Sequence, residues 1–93
     1  MFVGVLQVEL VLDRAQSLKD KRQVIRSILD RMRATFNVSA AEGEDMDKWQ
    51  RAVLGFAAVS NDQAHVSGLL QKALNHLKRH PVARVVDHRV EIL

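Results

Sequence analysis

The sequence predicts an α+β domain in which strands and helices follow in the order β-α-β-β-α-β. Two amphipathic helical patterns, near residues 17–35 and 62–80, alternate with apolar segments of period two. A polar turn containing a glycine separates the two middle strands, as expected of a hairpin. A chain of 93 residues with 47% apolar residues suits one domain with one core, so residues 1–93 are predicted to form a single unit.

The first strand and the first helix have the clearest local signals. Residues 2–12 alternate, with two polar side chains on the face opposite the leucines, and this period of two predicts the first strand. Ser17 then begins a helix that is predicted to end near Thr35. Its hydroxyl can cap the helix, and Asp20 stands at the acidic position of a capping box. Apolar residues at three- and four-residue spacing predict the buried stripe of this helix.

The remaining three strands and the second helix are predicted from the same kinds of pattern. The second strand is predicted over residues 36–42 and the third over residues 49–60. Residues 60–62, Ser-Asn-Asp, favour a helix N-cap and precede the second helix. Pro81 is expected to end that helix, since proline lacks the backbone donor that a helix interior needs. The alternating segment 82–93 predicts the last strand.

This order of elements predicts one topology above others. Two crossovers and one hairpin close most economically as a four-stranded antiparallel sheet with both helices on one face. That arrangement is the ferredoxin-like βαββαβ plait. Trp49, at the start of the third strand, is predicted to cover the end of the core with its indole N–H near water. The plait hosts many unrelated functions and does not by itself indicate one.

Composition and the N-terminal segment restrict the class of protein. Cysteine is absent, which excludes disulfides, thiol nucleophiles and thiolate metal sites. The apolar segment at residues 1–12 is too short to span a bilayer and carries Gln7 and Glu9, so it predicts neither a signal peptide nor a membrane helix. We therefore expect a cytoplasmic protein with no membrane attachment.

Positive charge is concentrated in the first helix. Between Ser17 and Phe36 there are six basic and two acidic residues, a surplus of four that exceeds the net charge of +3 of the whole chain. Such a cationic face can contact the phosphates of RNA or an acidic protein surface, and it can equally be the solvated side of an amphipathic helix. The candidate binding residues are Lys19, Lys21, Arg22, Arg26 and Arg33.

No pattern in the sequence predicts catalysis or a metal site. The acidic residues Glu42, Glu44, Asp45 and Asp47 lack the ligand spacing of an EF-hand and are typical of a solvated hairpin loop. His76 and His80 are four residues apart, but Leu77 stands where the H-E-x-x-H zinc motif requires glutamate. No glycine-rich phosphate loop and no nucleophile motif occurs. We predict a protein that is not an enzyme, with no cofactor and no metal, and the sequence indicates no known small-molecule ligand. Binding of a small molecule or metal is kept as a third hypothesis that a thermal-shift screen would test.

The sheet face opposite the helices is predicted to be unusually apolar. Its members are expected to be Val3, Val5, Gln7, Glu9 and Val11 of the first strand and Arg51, Val53, Gly55, Ala57 and Val59 of the third. No aromatic residue is among them, so stacking of RNA bases on the sheet is not expected. Small aliphatic residues instead indicate that a partner covers the face, the alternative being exposed valines on a monomer.

The simplest partner for this face is a second copy of the chain. The predicted dimer face comprises Val3, Val5, Val53, Ala57 and Val59. In a two-fold dimer of this kind, Arg51 is expected to reach Glu9 of the other chain. Edge-to-edge pairing of strands is the alternative geometry.

Three segments resemble a known family. They are SLKDKR at residues 17–22, FNVSAAE at residues 36–42 and DKWQ at residues 47–50. They are similar to the YlxP-like proteins, short bacterial proteins of unknown function, and the likeness spans essentially the whole chain. The resemblance implies the ferredoxin-like fold. It also implies a ribosome-linked role, because members are encoded near translation and ribosome-maturation factors, and it implies no catalytic residues.

Charge and resemblance together predict a function. We expect a non-enzymatic accessory protein that associates with the ribosome or with rRNA through its basic first helix. The alternative is a homo-oligomeric module that binds protein and has no nucleic-acid role.

Overall fold

The computed structural model describes residues 1–44 and 47–93 and confirms the predicted α+β architecture. The elements in these ranges follow the predicted order β-α-β-β-α-β. They are β1 (Phe2–Val11), α1 (Leu18–Thr35), β2 (Ser39–Glu42), β3 (Arg51–Ser60), α2 (Gln63–Lys78) and β4 (Arg84–Ile92).

The strands form one sheet in the order β2-β3-β1-β4, and all neighbours are antiparallel. Strands β1 and β2 both pair with β3 and therefore run parallel to each other, which requires the crossover that α1 supplies. In the same way, α2 connects β3 to β4. This order and pairing are those of the ferredoxin-like plait.

The core lies between the helices and one face of the sheet. Alternate residues of the two central strands are buried there, for example Leu6 and Val8 of β1 and Leu54 and Phe56 of β3. The helices contribute Ile25, Ile28, Met32, Val66, Leu70, Ala73, Leu74 and Leu77. Because successive strand residues point to opposite faces, the remaining residues of β1 and β3 form the open face that the sequence predicts.

Both helices begin where their caps satisfy free backbone N–H groups. The hydroxyl of Ser17 accepts a hydrogen bond from the backbone N–H of Asp20 at 3.1 Å, and the Asp20 carboxylate accepts one from the N–H of Gln16 at 3.1 Å. At α2, the carboxylate of Asp62 accepts from the N–H groups of Ala64 and His65. These bonds confirm the predicted start of α1 and select Asp62 among the candidate caps of α2.

The second strand is shorter than predicted. It begins at Ser39 rather than Phe36, because Phe36 ends α1: its backbone N–H donates to the carbonyl of Met32 at 2.9 Å. Its ring packs edge-to-face against His76 of α2, with centroids 5.7 Å apart. Packing between the helices therefore removes this residue from the strand that its alternation predicted.

The prediction that Trp49 covers the core is wrong. Its side chain is 54% exposed, and β3 begins two residues later, at Arg51. The neighbouring residue, Gln50, contacts the rest of the fold instead, because its side-chain amide donates to the carbonyls of Asp13 and Ala15 in the β1–α1 connection. The amide ties the start of β3 to the rest of the fold, so the indole is not needed there.

Candidate nucleic-acid interface

Three of the predicted cations form an exposed surface on α1. Lys19, Arg22 and Arg26 follow one another at three- and four-residue spacing, which places them along one side of the helix. All three are exposed, and no carboxylate in the described part of the chain lies within ion-pair distance of them. We call these three residues the α1 basic surface.

Arg33, another of the five predicted cations, already makes contacts within the chain. Its Nη2 donates to the backbone carbonyl of Ala40 at 2.6 Å, and its Nη1 lies 3.4 Å from the carboxylate of Asp30. These bonds join the C-terminal part of α1 to the short edge strand β2. Arg33 therefore already makes contacts within the protein and is less available to a ligand than the α1 basic surface.

Lys21 does not belong to the basic surface, which corrects the sequence prediction. Its side chain is 1% exposed, and its Nζ lies 3.1 Å from Oε2 of Glu42, whose side chain is 15% exposed. The two charges connect the first turns of α1 to the end of β2. Lys21 precedes Ile25 by four residues and Ile28 by seven, so its place on the buried stripe was a signal available in the sequence.

The acidic loop contributes less to a possible site than its composition indicates. Glu42 pairs with Lys21, whereas Glu44 and Asp47 are exposed, and Asp45 lies outside the described residues. Across residues 1–44 and 47–93 there is no group of three or more metal-ligating side chains that could hold an ion.

A second set of basic groups, which the sequence analysis did not single out as a site, lies between the helices. A cleft of about 480 Å³ opens between α1 and the end of α2. Its polar lining residues are Ser27, Arg31, His76, Arg79 and His80, and Ile28 and Pro81 form its apolar walls. We call it the interhelix cleft. The i, i+4 spacing of the histidines was visible in the sequence, but no local pattern joins Arg31 to Arg79, which are 48 positions apart.

His80 is oriented by the chain that follows it. Its Nδ1 accepts hydrogen bonds from the backbone N–H groups of Val82 and Ala83, at 3.1 and 3.0 Å. Burial, together with the nearby Arg31 and His76, lowers the pKa of His80 below its usual value of 6.5. The neutral ring accepts at Nδ1 and therefore carries its proton at Nε2, where it can donate to a ligand.

The predicted dimer residues lie together on the open face of the sheet. Val3 is opposite Val59, Val5 is opposite Ala57, and Val53 is opposite Glu9. Val59 is 62% exposed, and the other four are partly exposed. Their placement on one face agrees with the sequence pattern.

The charged pair of this face forms within one chain. Arg51 donates to the carboxylate of Glu9 on the neighbouring strand of the same molecule. Sequence analysis assigned this pair to two different chains of a dimer, and the strand register explains the difference, because Arg51 and Glu9 lie on the same face of adjacent strands.

A shallow apolar groove lies on the same face. Its volume is about 310 Å³, and Val5, Ala41, Gly55 and Ala57 are among its lining residues. A Cβ placed on Gly55 would meet no atom within 4 Å, so the missing side chain leaves space above the sheet. The groove gives the apolar face a concave centre.

The fold and these surfaces define the class of protein: a small α+β plait with a basic surface on α1 and an open sheet face that is apolar around Gly55 and charged along β4. Within the described residues, neither helix has the length and apolar character that a bilayer crossing requires. The profile of a family described as "Protein of unknown function (DUF503)" matches residues 3–90. The chain belongs to this family.

A curated relative supports the same assignment. The chain is 38% identical over 79 residues to "Uncharacterized protein YlxP" of Bacillus subtilis (strain 168). The match covers 85% of this chain and 86% of the relative. It confirms the resemblance to YlxP-like proteins that three short segments of the sequence predicted.

Proposed function

We propose that this protein is a non-enzymatic accessory factor of the cytoplasm that binds RNA phosphates through the α1 basic surface. The observation that carries the proposal is the exposure of Lys19, Arg22 and Arg26 with no carboxylate partner among the described residues. Neighbouring cations without counter-charges create a positive potential that attracts polyanions and releases the counter-ions condensed on them. The resemblance to a family encoded near ribosome-maturation factors supports ribosomal RNA as the polyanion.

The mode of binding follows from the two faces of the sheet. One face is covered by helices, and the open face carries valines and alanines rather than exposed aromatic residues. Bases therefore have no stacking platform like that of the RNA-recognition domains that share this topology. Contacts to phosphates fix position without reading sequence, so we expect binding with little base preference and strong dependence on salt.

Reversing the charge of the α1 basic surface tests this proposal. We expect the variant Lys19→Glu/Arg22→Glu/Arg26→Glu to lose binding to rRNA fragments by about 100-fold or more at low salt, because attraction is replaced by repulsion. Binding of the wild-type protein should weaken as salt rises, with a log–log slope of roughly −0.7 to −0.9 per phosphate contacted. Fluorescence anisotropy with labelled RNA at several salt concentrations measures both quantities.

A matched control separates a local contact from general charge attraction. Arg26→Glu and Arg89→Glu change the charge equally, but Arg89 is an exposed residue of β4 opposite Gln7, on the sheet side of the molecule. Arg26→Glu should weaken RNA binding several-fold more than Arg89→Glu does. If Arg26→Glu and Arg89→Glu lose equal RNA affinity, or if the triple variant binds RNA as the wild type does, α1 is not part of the RNA interface.

A second function, self-association, is favoured by a separate observation. Around the groove at Gly55, the open face presents a patch of valine and alanine, whereas antiparallel sheets that face water usually alternate to polar residues. The charged residues Asp87, Arg89 and Glu91 of β4 border this patch on one side. A second copy related by a two-fold axis would cover both patches at once. Because the basic helices lie on the opposite side of the sheet, a dimer of this kind would leave both α1 basic surfaces free.

Val53→Glu is expected to convert the proposed dimer into a monomer. It would place a carboxylate beside Glu9 on the open face, so that a dimer would have to bury two neighbouring carboxylates. Val90→Glu is the control, because Val90 is 43% exposed but lies opposite Leu6, on the helix side of edge strand β4. Sedimentation at micromolar concentration should show dimers for wild type and Val90→Glu only. If Val90→Glu disrupts the dimer and Val53→Glu does not, the chains pair edge to edge instead. If the wild type stays monomeric at millimolar concentration, the valines are simply exposed on a monomer.

A further inference from the structure

The interhelix cleft gathers basic groups from both helices without acidic ones. Arg31 of α1 and Arg79 at the end of α2 both line it, together with His76 and His80. No carboxylate is among its lining residues, and neither arginine forms an ion pair with any other described residue. The nearest acidic residue in sequence, Asp30, contacts Arg33 instead. The free protein therefore holds two guanidinium groups around one cavity, and no described carboxylate is in ion-pair contact with either.

The cleft also supplies neutral hydrogen-bond donors. Because Nδ1 of His80 is occupied by two backbone N–H groups, its proton resides on Nε2, and the hydroxyl of Ser27 is a further donor among the lining residues. The α2 C-terminus carries partial negative charge, but the carbonyls of His76 and Leu77 already accept bonds from the backbone N–H groups of Arg79 and His80. Side-chain donors therefore dominate what a ligand would meet.

We propose that the interhelix cleft binds a phosphate group. Phosphate offers several oxygens and up to two negative charges, and guanidinium groups bind it through paired hydrogen bonds. Donors from two helices surround such a group better than they surround a planar carboxylate, which has two oxygens. The cavity of about 480 Å³ exceeds what one phosphate needs, and Ile28 and Pro81 supply apolar walls for the organic part of a phosphate ester.

This site is distinct from the α1 basic surface. Lys19, Arg22 and Arg26 do not line the cleft, and Arg31 and Arg79 are not part of the surface proposed to bind RNA. The phosphate can come from a small phosphate ester or from a nucleic acid, and in either case the chemistry recognised is the same. The two sources are separated by the experiment.

Inorganic phosphate is the first probe. It is titrated into the full chain at constant ionic strength, with sodium chloride as the comparison, while backbone amide and histidine ring signals are followed by NMR. We expect phosphate to shift the signals of Ser27, Arg31, Arg79 and His80, and chloride to leave them in place. Absence of these shifts up to about 10 mM phosphate would overturn the proposal, since a weaker site would have no specific use.

Matched arginine variants test the donors. Arg31→Gln/Arg79→Gln is expected to weaken phosphate binding about tenfold or more, whereas Arg26→Gln, on the same helix but outside the cleft, should change it by less than about twofold. Arg31→Lys/Arg79→Lys keeps the charge but loses the paired hydrogen bonds. Its affinity for phosphate should therefore lie between those of Arg26→Gln and Arg31→Gln/Arg79→Gln. Melting curves confirm that each variant is folded. An equal loss in Arg26→Gln would show general charge attraction instead of a site.

Two oligoribonucleotides of one sequence then identify the source of the phosphate. If only the 5′-phosphorylated strand shifts the NMR signals of the cleft residues, the cleft binds a terminal phosphate. If the 5′-hydroxyl strand shifts them as well, the cleft binds a backbone phosphate. Shifts with neither strand, but with inorganic phosphate, indicate a small phosphate ester. The variant Lys19→Glu/Arg22→Glu/Arg26→Glu should keep its affinity for inorganic phosphate, so loss of RNA binding and loss of phosphate binding are separate results.

Discussion

Replacing Lys21 with methionine is expected to destabilise the protein by about 3 kcal/mol, which is the low end of the range for a broken buried ion pair. The substitution leaves the carboxylate of Glu42 without its partner, whereas the aliphatic part of the methionine still fills the space beside Ile25 and Ile28. Oε2 of Glu42 is itself buried, but the side chain as a whole is 15% exposed, which keeps the expected cost at the low end of that range. Urea denaturation at neutral pH measures the change as a lower midpoint with an unchanged slope.

Two further variants identify the cause. Lys21→Met/Glu42→Leu removes both charges and should recover much of the lost stability, because an apolar pair needs no compensation for lost hydration. Lys19→Met makes the same chemical change two positions earlier, at an exposed site, and should leave the midpoint almost unchanged. If Lys21→Met is as stable as the wild type, the ion pair between α1 and β2 contributes nothing to the stability of the fold.

Gly4→Ala is expected to destabilise the protein by about 2 kcal/mol through overpacking. A Cβ on Gly4 would overlap Cγ1 of Val66 and lie 2.8 Å from Cδ1 of Leu70, so β1 and α2 approach each other only because this position has no side chain. The β-branched Val66 has little freedom to rotate away within a helix. Thermal unfolding with circular dichroism measures the loss.

Other glycines and a relieving substitution provide the controls. A Cβ on Gly68, within α2, would meet nothing within 4 Å, so Gly68→Ala should stabilise the protein by up to about 1 kcal/mol through helix propensity. Val66→Ala removes the overlapping methyl group, and Gly4→Ala/Val66→Ala should therefore be more stable than the two separate effects predict. Strict additivity of the two changes would contradict a steric origin.

Element types and their order were predictable because they depend on local patterns. The capping residues Ser17 and Asp20 placed the start of α1, and strand alternation assigned Val3, Val5 and Val53 to the open face. Boundaries were less predictable where tertiary contacts compete with local preference. Phe36 alternates like a strand residue, yet its ring packs against His76 and its N–H ends the first helix.

The sites were predictable only where one element forms them. Lys19, Arg22 and Arg26 share one side of one helix, so their clustering follows from the helical period alone. Lys21 was assigned to the same surface from its charge, although its spacing to Ile25 and Ile28 already indicated the buried stripe. The partner that stabilises it there, Glu42, lies on another element, and no local pattern connects the two residues.

The sequence by itself determined the α+β class, the order of the elements, the basic helix and the apolar positions of β1 and β3 on the open sheet face. Each of these follows from periodicity or composition within a single segment. Tertiary structure alone decided that Lys21 pairs with Glu42, that Arg51 pairs with Glu9 in its own chain and that Arg31 and Arg79 line one cleft. The physical reason is that such contacts depend on how helices and strands pack, and residues 48 positions apart meet only after packing has brought their elements together.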